Sequence, residues 1–189
     1  MNALFQAAME AQQFIQAKKW SFCIIGGMAV IRWGQPRATV DVDISLLAGF
    51  GREEHFIDLL LGQFAGRFAD ARKFALESRT VLCQAANGIA LDIVLAGFPF
   101  EEKVIARASS FSFAPDVALI TASAEDLIVL KAFAGRDQDW ADVRGIIGRQ
   151  IQLDWKQILA DLHDLCDVGE DNEPLARLEK IRAAVDAGE

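Results

Sequence analysis

A short apolar run, Ser21 to Ile25, ends in Gly26-Gly27, and after thirteen residues (28–40) the chain reads Asp41-Val42-Asp43-Ile44. The run is too short for a helix and reads as a strand. The glycines let the backbone turn, and Met28 to Trp33 begins a helix straight after them. Gly34-Gln35-Pro36 breaks that helix. Val40 to Leu47 then alternates polar and apolar residues at first, the period of a strand. Strand, tight turn, helix, strand is therefore the nucleus of the fold. Asp41 and Asp43 project to one side of their strand, while Val42 and Ile44 can face a core on the other.

Two carboxylates held this close repel, and the pair resists full ionisation. A bound Mg²⁺ removes that penalty and takes carboxylate oxygens alongside water and substrate phosphates. Asp92 is the third acid, alone in the apolar strand Ile89 to Leu95. An Asp there is costly unless it meets solvent, a partner or a metal. If its strand lies beside that of Asp41, three carboxylates converge. Such a trio can bind two metals about 4 Å apart and clamp both oxygens of a phosphoryl-type displacement. Singly, each feature has an ordinary alternative, because Asp-x-Asp is common at strand ends and a lone Asp often marks an exposed one. Their ordered combination points to chemistry on a nucleoside triphosphate.

Gly26-Gly27 at a helix start leaves backbone N–H groups for an anion; the alternative is a tight turn with no ligand. The following Met-Ala-Val-Ile does not complete the Gly-x-Gly-x-x-Gly of dinucleotide sites. Arg37 and Thr39 stand where a triphosphate contact is available, although Arg37 is equally an ordinary surface charge.

Further helices are expected over 3–18, 53–64 and 101–108, and strands over 89–96 and twice within 73–86, from Phe74 and from Val81 to Cys83. Asn87-Gly88 is a tight-turn signal. From about residue 121 the chain is helical: Ser123 with Asp126, and Asp154 with Gln157, are N-cap pairs, and Gly135 ends the first of these helices. The expected organisation is a domain over 1–120 with helices 121–189 packed on it. The expected fold class is α/β (α+β), a small mixed sheet flanked by helices with a helical C-terminal segment. Lys131 lies on the apolar stripe of its helix, where it either snorkels outward or points into a cleft opposite the metals. Asp139 and Asp142, three apart, form a solvated face or favour a helix N-terminus.

With 189 residues, 52% of them apolar, the chain can bury a full core. A net charge of −8 argues against an extended nucleic-acid surface. Cys23, Cys83 and Cys166 are widely spaced and read as free thiols of a reducing cytosol. Neither a signal peptide nor an apolar run of membrane-spanning length is present, so a cytoplasmic location with no membrane partner is expected. His55 and His163 lack partners at metal spacing, and Trp33 and Trp140 read as core residues before base-stacking ones.

Ile25-Gly26-Gly27, Asp41-Val42-Asp43-Ile44 and Leu91-Asp92-Ile93 resemble the motifs of the DNA polymerase β-like nucleotidyltransferase superfamily. Ser123 to Lys131, Gly135-Arg136 and Asp139 to Val143 look like its AbiEii group, nucleotidyltransferase toxins of type IV toxin–antitoxin and phage-defence systems. The resemblance implies a nucleotidyltransferase-like sheet and transfer of a nucleotide from an NTP with release of pyrophosphate. Mg²⁺ (or Mn²⁺) would be held by Asp41, Asp43 and Asp92. The triphosphate would be met by Gly26, Gly27 and Lys131, with the later Asp of the family placed on Asp139 before Asp142, beside the Arg37 and Thr39 contacts read above. Met28 stands where the family often carries Ser or Thr, which removes one side-chain phosphate contact. The implied partners are an NTP, an acceptor (a tRNA end, a protein or a small molecule) and a cognate antitoxin. The competing expectation is a non-catalytic relative that binds a nucleotide or a protein in a regulatory role.

Overall fold

The computed structural model describes residues 2–186. The chain divides into two units, one of residues up to Ala29 with Ala38–Ala122, the other of Val30–Arg37 with the residues from Ser123 onward.

The first unit is built on one mixed sheet. Its strands are β1 (Phe22–Ile24), β2 (Asp41–Leu47), β3 (Ala65–Gly66), β4 (Thr80–Gln84), β5 (Ala90–Ala96), β6 (Ser109–Ala114) and β7 (Val117–Thr121), in the spatial order β3-β4-β5-β2-β1-β7-β6. Alternation sets the two central strands. Val42, Ile44 and Leu46 of β2, and Leu91, Ile93 and Leu95 of β5, are buried, while Asp41, Asp43 and Asp92 keep partial exposure on the other side. Each fully buried aliphatic side chain is worth about 1.5–3 kcal/mol relative to exposure, so this register is strongly specified. The helices of this unit are α1 (Ala3–Ala17), α3 (Glu53–Gln63), α4 (Ala71–Ser78) and α5 (Pro99–Arg107). Helix α2 (Gly26–Trp33) starts in the first unit and ends in the second. Asn87-Gly88 turns β4 into β5 with Gly88 at φ +82°, as its residue types require.

Two expectations about secondary structure are corrected. The strand expected to start at Phe74 is a helix. Ala71 and Ala75, one turn apart, are buried, whereas Arg72, Lys73 and Phe74 between them are exposed and leave no alternating buried face. Arg79, in the left-handed region at φ +56°, closes that helix, and only Thr80–Gln84 is strand. Residues 109–121, for which no element is expected, form the β6–β7 hairpin.

The second unit contains α6 (Ala124–Ala134), α7 (Asp137–Ile147), α8 (Trp155–Gly169) and α9 (Glu173–Asp186). Ser123 Oγ accepts from the N–H of Asp126 (3.1 Å), Asp154 Oδ1 accepts from that of Gln157 (3.0 Å), and Gly135 caps α6 at φ +69°. Residues 30–37 are fastened to α7 and the turn after it. Arg149 donates to the carbonyl of Gly34 (2.6 Å) and Gln150 to that of Trp33 (2.6 Å). Among the described residues no helix is long and apolar enough to cross a membrane.

Candidate active site

β2 and β5 run parallel in an unbroken register that sets Asp43 opposite Asp92 and Asp41 opposite Ala90. Residues paired across a sheet share a face. Asp41, Asp43 and Asp92 each offer a carboxylate oxygen to a cluster within 4.8 Å, the only such group of metal-ligating side chains among the described residues. The Thr39 hydroxyl donates to Asp41 Oδ1 (3.1 Å) and fixes that carboxylate. Burial pushes the Asp92 carboxyl above the ordinary range; Arg67 pulls it back and the Asp41 charge adds to the rise. Arg67 Nη2 stands 2.7 Å from Asp92 Oδ1. That approach is off-line for a hydrogen bond, so Oδ1 is buried and ion-paired but accepts no hydrogen bond. The guanidinium therefore balances the charge of this oxygen without a well-aligned hydrogen bond.

The double glycine follows from the same geometry. Gly26 has φ +58°, and a Cβ there would lie 1.8 Å from Asp43 Oδ2. A Cβ on Gly27 would lie 2.4 Å from Thr39 Oγ1. Ile25 N–H donates to the carbonyl of Asp43 (2.9 Å), tying β1 to β2 beside the helix start. Met28, where a hydroxyl residue is frequent in the resembling superfamily, is fully buried and serves the core.

In the second unit Lys131, Asp139, Asp142 and Arg37 form another cluster. Lys131 Nζ donates to Asp139 Oδ1 (2.7 Å) and pairs with Asp142 Oδ2 (3.0 Å). Arg37 grips Asp142 through Nε (2.8 Å) and Nη2 (2.9 Å), and Arg136 Nε reaches Asp139 Oδ2 (2.6 Å). The solvated face considered for Asp139 and Asp142 is corrected: they are 1% and 4% exposed, and Lys131, at 7%, turns inward rather than snorkelling. Burial alone would raise both carboxyls, but hydrogen bonds outweigh it, from Arg136 and Lys131 for Asp139 and from Arg37 and Lys131 for Asp142. Both are held below the ordinary range.

Arg67 carried no sequence signal, because it follows a two-residue strand and reaches Asp92 only through sheet register. The cysteines are free and buried, and burial pushes the Cys83 thiol up to about 12, so it is no nucleophile at neutral pH. His55 is exposed, and the exposed His163 faces Asp167 (3.2 Å). Trp140 is fully buried, whereas Trp33 is half-buried with Arg32 stacked at 4.0 Å.

A mixed sheet of this order, with carboxylates gathered on two parallel strands beside a glycine turn, has a nucleotidyltransferase-like fold. Residues 2–182 match the family described as "Nucleotidyltransferase of unknown function (DUF6036)", and the chain belongs to it. No curated protein matches the sequence. Among solved structures, an antigenic nucleotidyltransferase-like protein from Paracoccidioides brasiliensis is similar over 93% of this chain and 92% of its own, at 15% identity and a TM-score of 0.54. The antibiotic-resistance factor ANT(2'')-Ia, in its solution structure, aligns over 97% of this chain and 91% of its own, at 16% identity and TM-score 0.46. Its crystal structure in complex with adenylyl-2''-tobramycin aligns over 95% and 94%, at 17% identity and TM-score 0.45.

Proposed function

We propose that this chain moves a nucleoside monophosphate from an NTP to an acceptor nucleophile, releasing pyrophosphate, with Mg²⁺ or Mn²⁺ held by Asp41, Asp43 and Asp92. The observation that carries this is the gathering of those three carboxylates within 4.8 Å on paired strands. The donor set fits a hard divalent cation: it is all oxygen, one from each of three carboxylates. A cation bound there supplies charge neutralisation at the transferring phosphate and polarisation of its oxygens.

The chain's own residues then position and accept. Asp92, raised by burial, is suited to take the acceptor's proton. Gly26 and Gly27 open the start of α2 to the triphosphate, where N–H groups and the helix dipole favour negative charge. Thr39 keeps the Asp41 carboxylate oriented. Arg37, Lys131 and Asp139 were expected at the triphosphate. Because their charges are already paired, we assign them to holding residues 30–37 on α6 and α7, the segment that leads from α2 to Thr39. Positioning and charge stabilisation supply most of the rate.

The finer reading is an AbiEii-like toxin acting on a tRNA end, a protein or a small molecule and restrained by a cognate antitoxin. Its support is the likeness of residues 123–143 to that group. The test is transfer of label from α-labelled NTPs in a lysate, with mass spectrometry of the labelled product. Asp41→Asn is expected to retain the fold by circular dichroism and to lose transfer by at least about a thousandfold. Unchanged transfer defeats the assignment. Calorimetric nucleotide binding without pyrophosphate release replaces it with the non-catalytic binder.

A further inference from the structure

Asp43, Asp92 and Leu82 form one row across three strands: Asp43 is paired with Asp92, and Asp92 with Leu82. Arg67 continues that row one strand further, for its N–H donates to the Leu82 carbonyl (3.1 Å), directly after the Gly66–Cys83 pair. Strands lie about 4.8 Å apart, so Arg67 starts about two strand spacings from Asp92, within the reach of an extended arginine across Leu82. Its Nη2 arrives 2.7 Å from Asp92 Oδ1. Asp92 is thus flanked on one side by Asp43 and on the other by a guanidinium.

We propose that Arg67 is a positioning residue for the transfer reaction, holding the Asp92 carboxylate in the orientation that joins it to Asp41 and Asp43. This rests on the function proposed above. Three carboxylates within 4.8 Å repel one another, and without an internal cation the outermost is driven to rotate away. Arg67 supplies that cation from the flank, 2.7 Å from Asp92 Oδ1. Its position has a cost: a fixed positive charge beside the site also repels a metal ion. The same residue that orders the site therefore weakens its hold on the metal.

These opposed effects form the test. Arg67→Met keeps the length and the apolar stem while removing the charge. Mn²⁺ binding, followed by electron paramagnetic resonance without nucleotide, is expected to tighten by roughly three- to tenfold in Arg67→Met, because a repelling charge is gone while Asp41 and Asp43 still hold the ion. Label transfer by the same protein is expected to slow by about tenfold or more, because Asp92 is no longer held. Arg67→Lys, which restores the charge without the fork, is expected to return both values part of the way. A merely structural arginine would weaken both together on loss of the fold, and unchanged Mn²⁺ affinity or unchanged transfer likewise overturns the assignment. If the wild-type protein binds Mn²⁺ and transfers label but Arg67→Met shows no opposed change, the positioning role alone fails. If the wild type binds no Mn²⁺, the proposed function fails and takes this role with it.

Discussion

Gly26 shows how closely the backbone is fitted to the carboxylates. Its φ of +58° is a conformation that costs an L-residue about 1–2 kcal/mol. A Cβ there would also lie 1.8 Å from Asp43 Oδ2, so Asp43 has to move. Gly26→Ala is therefore expected to lower the melting temperature and to weaken Mn²⁺ binding by at least about tenfold. Gly27→Ala presses on Thr39 instead and should keep more of the metal binding. Wild-type Mn²⁺ affinity in Gly26→Ala would show that the close approach is unimportant. At this scale the aspartates were legible, because a carboxylate in an apolar alternating strand is costly and stands out. Arg67 was not, since its role depends on how four strands are registered rather than on its neighbours in sequence. The burial of Asp139 and Asp142 was hidden for a similar reason. Acids on a helix look solvated until their cations, Lys131, Arg37 and Arg136, are brought to them by the fold.

Among the elements, those with local punctuation were readable: the strand–glycine–helix start, the Asn87-Gly88 turn and the caps at Ser123 and Asp154. Elements fixed by their partners were not. β6 is largely exposed and gains its identity from pairing with β7. α4 is short and polar, and is held by two buried alanines. How α1 docks is also a partner effect. β7 meets β1 only at Ile24 and Thr121. At two further residues of β7 the amide of Gln12 supplies the hydrogen bonds, donating to the carbonyl of Ala118 (2.8 Å) and accepting from the N–H of Ile120 (2.9 Å). Gln12 is 6% exposed, so its loss removes two hydrogen bonds made by a buried side chain. Gln12→Met, close in volume, is expected to cost about 1–3 kcal/mol in urea unfolding. A change near zero would mean that water readily replaces the amide.

For the molecule as a whole, a net charge of −8 directs attention to how its acids are held. Most of its charge lies on ordinary surface groups, whose contributions to stability are small. Asp139 and Asp142 differ, being buried and paired with Lys131, Arg37 and Arg136. Their carboxyls are held below the ordinary range in the folded state. Such groups contribute stability that is fully present above the unfolded-state value, about 3.9 for Asp. It is lost as pH falls through the lower folded-state values, because both carboxylates must then take up protons inside the fold. Breaking a buried pair from one side leaves the other charge uncompensated and costs about 3–5 kcal/mol. Asp139→Asn is therefore expected to be less stable than the wild type by about that amount at pH 7. The gap should narrow as the pH is lowered from 5 towards 3, because the wild type loses there what the variant never had. Urea unfolding of both proteins across this range, followed by circular dichroism, measures the gap directly. A difference that stays constant with pH would mean that the Asp139 charge contributes nothing through its ionisation, and that the cluster holds residues 30–37 by packing alone.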